Sequence, residues 1–492
     1  MCLESYIKIR FSFCFSLLSI LLLLNACTPS AEARYYKKSS SSLSHTSLGL
    51  QKVLVLAVSF PDVDIANPLF LIEKRVLGKT AKYYDMVSYG KTRIVGDVKG
   101  WYQLPHDLSA YKVPPYLFQL ANNRKMVKKL VEDSLSSAEK DITYSNYDQI
   151  IIVLGINSGP GKGYGLHAYC ANPGVLSGVR HGKASMVNIK TRGGQKFNGG
   201  IVVISQNAHP GQIIHDFTHA IGGVIKDKRV IPDLYGFEEY DKALGIASKM
   251  KAKQRAESFD EIIEMFTIYM GPWDIMSRHI IGRGLPLAGM SSFTRIRMGW
   301  IGDDQITEVK RGHDLAAMLS PLGSGKGILA IRIPVGRKKY YLIENRQKMM
   351  IDRTIPAPGI LILKVNEALE DGDGIVRIVD ANPNVRGFKA ATYGVNSGQT
   401  TSVNLSRDHT LEILWKEGKE LAVMIVDPSK AKKVQDVAEK IRKAQLHIQT
   451  LPPSSMVNQV RDSLKISKDL LFQRKINDSQ LMVESILETF QN

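Results

Sequence analysis

The spacing of apolar and polar positions changes along this chain and divides it into regions. Val53–Phe60 is an apolar, Val-rich run that reads as a strand, broken by Pro61-Asp62. Helical periodicity follows from about Leu71 to Asp85, and Tyr89-Gly90 turns the chain into a strand over Thr92–Val98. A mixed-charge helix over Lys125–Lys140, a strand over Ile150–Leu154 and a Gly-rich loop over Gly155–Gly165 come next. The strand Gly200–Ser205 then leads into a helical pattern between Gly211 and Gly223. After Trp300 the pattern shortens into strands with turns: Gly327–Ile333, Tyr340–Glu344, Gly359–Val365, Ile375–Asp380 and Leu411–Asp427. Beyond Asp427-Pro428 it is helical again over Val434–Ile448, breaks at Pro452-Pro453, and continues as helix to the end. These rhythms predict an α/β domain over 51–302, a β-rich domain over 303–427 and a basic helical tail over 428–492.

The N-terminal 27 residues alter that picture. Cationic residues in Met1–Arg10 precede an apolar run from Phe11 through Leu24, too short for a confident membrane span, as in an export signal. Leu24-Asn25-Ala26-Cys27 resembles the bacterial lipoprotein cleavage box, which implies that Cys27 carries lipid and that the protein sits at the bacterial cell envelope. A plain signal peptide with an incidental Cys is the alternative. The Ser-rich stretch after it, within 28–50, reads as a flexible tether. Of the four cysteines, Cys2 and Cys14 would be removed with the signal, leaving only Cys170 beside the lipidated Cys27 and no intrachain disulfide.

Composition adds less. With 492 residues, 44% hydrophobic and 23% charged, the chain can bury a large core. The net charge of +18 is spread along the sequence and nowhere interleaved with stacking aromatics, so it points to solubility and anionic surfaces rather than to nucleic acid. Salt-sensitive binding of nucleic acid or anionic lipid by the tail is a separate hypothesis.

The chemistry concentrates in His215-Asp216-Phe217-Thr218-His219. Ile213, Ile214, Phe217, Ala220 and Ile221 define a buried helix face, and His215 and His219 lie beside it, four residues apart. Side chains at that spacing project from one face a turn apart, so the two imidazoles can converge on one ion at about 2 Å. A tetrahedral catalytic site needs a third protein ligand, and Gly222-Gly223 lets the chain turn back toward the ion. Elsewhere, Gly159-Pro160-Gly161-Lys162-Gly163 lacks the spacing of a phosphate loop and reads as a surface turn. His167, His181 and His209 could line a cleft or be ordinary core or surface residues. Arg278 and His279 could polarise a substrate carbonyl. Asp371-Gly372-Asp373-Gly374 has the residue types of a calcium-binding turn but not EF-hand spacing, and reads as an exposed turn, with Ca2+ as the alternative.

Several segments, in order, resemble the M6 family, the immune inhibitor A type of zinc metallopeptidase. They are Val53-Leu54-Val55-Leu56 with Phe60-Pro61-Asp62; Tyr83-Tyr84-Asp85-Met86-Val87-Ser88-Tyr89-Gly90-Lys91 leading to Gly100-Trp101-Tyr102-Gln103-Leu104-Pro105-His106; and Ile231-Pro232-Asp233-Leu234-Tyr235. Gly271-Pro272-Trp273-Asp274-Ile275-Met276-Ser277 looks like the family's methionine turn, and Ser291-Ser292-Phe293, Met298-Gly299-Trp300, Glu344-Asn345-Arg346-Gln347 and Gly359-Ile360-Leu361-Ile362 continue the match. The resemblance implies a metzincin-like zinc peptidase domain acting on protein or peptide substrates. It also implies Zn2+ held by His215, His219 and Asp233, with Met276 as an apolar floor.

Two departures qualify it. Gly223–Val230 looks like an insertion before Asp233, which makes Asp227 a rival third ligand. Asp216 stands where the family has its catalytic Glu. In such a site the carboxylate takes a proton from the attacking water and returns it to the leaving amine. An Asp is one methylene shorter, and misplacement by about 1 Å can cost about a hundredfold in rate. A working peptidase and a catalytically inactive envelope lipoprotein that binds partners therefore both remain as expectations.

Overall fold

The computed structural model describes residues 43–44, 46–64, 67–111, 120–157, 168–177, 184–278 and 287–490. All belong to the second of two compact units, Tyr36–Asn492. The signal segment with Cys27, most of the tether, the Gly159–Gly163 loop, His167, His181 and His279 lie outside the described residues. The protein is mixed α/β with several sheets and a helical C-terminal segment.

The first sheet is built from β1 (Gly49–Ser59), β2 (Thr92–Gln103), β3 (Gln149–Leu154), β4 (Ala168–Asn172) and β5 (Gly200–Ser205), in the order β2-β1-β3-β5-β4. All neighbours are parallel except β4, which runs antiparallel along the edge of β5. Its central strands are apolar at nearly every position because both faces are covered. Val53, Val55 and Ala57 enter one core, and Leu54, Leu56 and Val58 enter the other. The second core is closed by α2 (Leu120–Ala138), through Val127, Leu130, Val131 and Leu135. The first is closed by α1 (Lys79–Val87) and by α3 (Pro210–Gly222), the helix that carries both histidines. At Gly200 the two layers come so close that a Cβ would stand 2.7 Å from that of Ala220 on α3.

A short hairpin of β6 (Val224–Ile225) and β7 (Lys228–Arg229) follows α3. Three helices come next, α4 (Phe237–Lys249), α5 (Ala252–Glu257) and α6 (Phe259–Phe266), a region that the hydrophobic pattern leaves unassigned. The first and third share a small core of Ala243, Ile262, Ile263 and Phe266, with Tyr235 and Tyr240 against it. After α7 (Ser292–Arg297) come β8 (Ile306–Glu308) and β9 (Leu315–Leu319), in different sheets.

The β-rich region is a sandwich. One sheet joins β8, β10 (Ala330–Gly336), β11 (Lys339–Arg346), β12 (Gly359–Asn366) and β13 (Val376–Ile378). The other joins β9, β16 (Glu420–Val426), β15 (His409–Glu417) and β14 (Ser402–Ser406). The stretch expected as Leu411–Asp427 is thus two antiparallel strands reversing at Gly418, whose φ is +58°. Alternate residues of β11 and β12 face different partners. Tyr341, Ile343, Ile360 and Ile362 meet Leu411, Val423 and Ile425 of the second sheet. Tyr340, Leu342, Leu361 and Leu363 join the core that contains Ile213, Ile214 and Phe217 of α3. The far face of the second sheet, through Leu414, Ala422 and Met424, is covered by the apolar side of α8 (Pro428–Thr450), α9 (Ser455–Phe472) and α10 (Ile476–Thr489). No helix among the described residues is long and apolar enough to cross a membrane.

Candidate metal centre

Helix α3 begins where its sequence provides a cap. His209 Nδ1 accepts the Gly211 N–H at 3.1 Å, Gln212 Oε1 accepts the His209 N–H, and Pro210 takes the first helical position. His209 therefore caps the helix. Arg75 steadies the approach to the helix by donating to the carbonyls of Gln206, Asn207 and Ala208. Tyr84 anchors the middle, its hydroxyl bonded to Thr218 Oγ1 at 2.6 Å and to the Ile214 carbonyl at 3.0 Å.

His215 and His219 are both buried, and each uses Nδ1 on a backbone carbonyl: Ile275 at 3.1 Å and Ile231 at 2.8 Å. A carbonyl only accepts, so both Nδ1 atoms carry the proton and both Nε2 atoms turn inward. The Nε2 atoms stand 3.3 Å apart, and Asp233 Oδ1 lies 2.8 Å from the first and 3.1 Å from the second. Two ligands bound at about 2.0–2.1 Å to a tetrahedral ion stand about 3.3 Å apart. These three buried side chains could hold a metal ion.

Protonation follows from the same geometry. Burial presses His215 toward the neutral form, but the hydrogen bond and charge of Asp233 outweigh it and raise its pKa above the usual His value. Burial, then the charge of Arg229, pushes His219 down to about 4. Burial opposes ionisation of Asp233, yet His219, Arg229 and the histidine hydrogen bonds hold it well below the usual carboxylate range. Below its raised pKa, a proton on His215 Nε2 would bridge toward Asp233 Oδ1.

A metal must displace that proton. Affinity for Zn2+ or Co2+ is therefore expected to be level above the raised His215 pKa and to fall about tenfold per pH unit below it. In the metal-free protein the sign reverses. The stability contributed by His215 is present below about pH 6.5, the unfolded value, and lost as pH rises through the folded one. Chelator competition between about pH 5 and 8 checks the first statement; a flat profile would remove His215 from the ligand set.

Asp216 projects from the adjacent side of α3. It keeps some exposed surface, and it lies near the backbone of Cys170 on the edge strand β4, which opposes the rise of its pKa. Burial of the carboxyl, reinforced by Asp233 and opposed by His215, raises its pKa to about 7. The rival ligand Asp227 sits at the exposed tip of the β6–β7 hairpin with φ +60° and does not join the group. What reads as an insertion instead brings Arg229 to the site: its Nη2 donates to Asp233 Oδ2 at 2.7 Å and also to Asp371.

The Gly271–Ser277 turn supplies more than Met276. The Asp274 carboxylate accepts from Met276 N at 2.9 Å, Ser291 N at 2.8 Å, Ser291 Oγ at 2.6 Å and Thr294 Oγ1 at 2.7 Å, which fixes the carbonyl that Ile275 offers to His215. Met276 is fully buried, and its carbonyl accepts from Leu234 N, tying this turn to the residue after Asp233. Arg278 is paired with Asp260 of α6 at 2.8 Å. The expectation of an exposed turn at Asp371-Gly372-Asp373-Gly374 is corrected in part. Asp373 is exposed, but Gly372 and Gly374 are buried, and Asp371 reaches inward to Arg229 and the Asp233 N–H because the turn packs against the start of α4.

No family model and no curated protein matches this chain. Arg229, Asp371 and Asp274 are the participants that residue-type spacing does not reveal. Asp274 lies inside a motif quoted for its methionine, while Arg229 and Asp371 meet across 142 positions.

Proposed function

We propose that this chain is a zinc-dependent peptidase of the M6, metzincin-like type, exported and held at the cell envelope through a lipid on Cys27. The observation that carries the reading is the convergence of His215 Nε2, His219 Nε2 and Asp233 Oδ1, with both Nδ1 atoms committed to carbonyls. Two imidazoles and one carboxylate suit Zn2+ with a coordination position left open. When bound there, the ion would act as a Lewis acid toward water and a peptide carbonyl.

The chain's own residues do the rest. His215 and His219 are held in the ligating tautomer by Ile275 and Ile231. Asp216, with its pKa raised to about 7, is placed to accept a proton near neutrality and hand it on to a leaving amine. The ordered sequence resemblance supports the family, and the Cys27 box supports the envelope location.

A second reading, an inactive binding lipoprotein, is favoured by one observation: the short Asp216 side chain stands where the resembled family has its longer catalytic Glu. Casein hydrolysis and zinc content of the purified chain separate the two. In a working peptidase Asp216→Asn is expected to lower hydrolysis by about 10²–10⁴-fold with zinc retained. Cleavage by Asp216→Glu alone would support the inactive reading. If neither the wild type nor Asp216→Glu binds zinc or cuts, the peptidase proposal is lost.

A further inference from the structure

We infer that Arg229 and Asp371 form a clamp that presents Asp233 to the metal through a single oxygen. The inference rests on the metal-site reading above. The two oxygens of Asp233 have different surroundings: Oδ1 faces the two Nε2 atoms at 2.8 and 3.1 Å, and Oδ2 accepts from Arg229 at 2.7 Å. Arg229 is itself fixed, since its Nε and Nη2 both donate to Asp371 Oδ2, the Nε bond being 3.0 Å. Asp371 Oδ1 closes the circuit by accepting the Asp233 backbone N–H at 2.7 Å. Asp371 thus holds Asp233 twice, directly at the main chain and through Arg229 at the side chain.

Turning Oδ2 toward the ion would break a charge-assisted bond between side chains that are only 10% and 5% exposed, where water replaces it poorly. A one-oxygen carboxylate leaves a fourth position open on a tetrahedral ion, whereas a chelating one would crowd it. The guanidinium also draws charge away from the carboxylate, so the ion keeps more of its polarising power. The two loops that supply the clamp are further joined at the surface by Lys228 and Glu370, 2.8 Å apart. Arg229 and Asp371 are positioning residues; they act through Asp233.

Cobalt substitution of the full chain tests this. Co2+ in the wild type is expected to give the intense visible absorption of four-coordination. In Arg229→Met that absorption is expected to weaken toward the five-coordinate pattern, with Zn2+ affinity 10–100-fold lower by chelator competition. Asp371→Asn, which leaves Arg229 in place without its anchor, is expected to shift both readouts in the same direction by less. It also decides the matter should Arg229→Met not fold. A wild type that takes up neither Co2+ nor Zn2+ would overturn the metal-site reading and the clamp with it. Metal uptake by the wild type, with spectrum and affinity unchanged in the variants that fold, would overturn the clamp alone.

Discussion

Replacing Arg346 with methionine is expected to lower the free energy of unfolding by about 3–5 kcal/mol. The guanidinium has no exposed surface, and it donates to Glu344 Oε1 at 2.9 Å, Asp352 Oδ1 at 2.8 Å and the Trp273 carbonyl at 3.0 Å. Both carboxylates are also fully buried, so removing the cation leaves two desolvated anions with only Arg295, 3.9 Å from Asp352, as a neighbouring counter-charge. Urea unfolding followed by circular dichroism gives the difference. A double variant with Glu344→Gln added is expected to recover part of the loss, because one uncompensated charge goes with it while Asp352 keeps Arg295 beside it. A change below about 1 kcal/mol for Arg346→Met, the value typical of water-screened pairs, would show that solvent reaches this cluster. The candidate metal centre should also respond, since Arg346 grips the carbonyl of Trp273 just ahead of Asp274, which orders the turn behind His215.

The second large effect is expected from His219→Ala. It deletes one of the three candidate ligands, and if they hold an ion as proposed the loss is on the order of 3–5 kcal/mol of metal binding, or roughly a hundredfold to several thousandfold. His219 is neutral through the physiological range, its pKa being pushed to about 4, so the wild type gives up no proton there when it binds an ion. On the proposed reading, zinc content after exhaustive dialysis falls from about one ion per chain, the stoichiometry of a single three-ligand site, to near none. Equal zinc in the two proteins would take His219 out of the ligand set.

What the sequence made legible follows the distance over which each feature is encoded. The strands Val53–Phe60, Ile150–Leu154 and Gly200–Ser205 are continuous apolar runs, and each lies within or beside an observed strand because both sheet faces are buried. The histidine pair could be read because one helical turn sets its geometry. Asp233 could be proposed from a motif, but its choice over Asp227 needed the hairpin, whose tip carries Asp227 away from the site. Arg229 looked like part of an insertion, and Asp371 like part of a surface turn. Their meeting depends on the β12–β13 turn reaching the start of α4, which no local pattern encodes. The helices from Phe237 to Phe266 are short and mixed in charge, and their small core forms only when they pack on one another and on Tyr235 and Tyr240.

The contact between Asp371 Oδ1 and the Asp233 N–H spans 138 positions of the chain and therefore has an order in time. A ribosome that has just released Asp233 has made all three candidate ligands, yet neither Asp371 nor the strand β13 beyond it exists. An ion arriving then would meet a carboxylate free to turn either oxygen toward it. The clamp described above can form only after Asp371 has been synthesised and its turn has packed against the start of α4, although the candidate ligands are made midway.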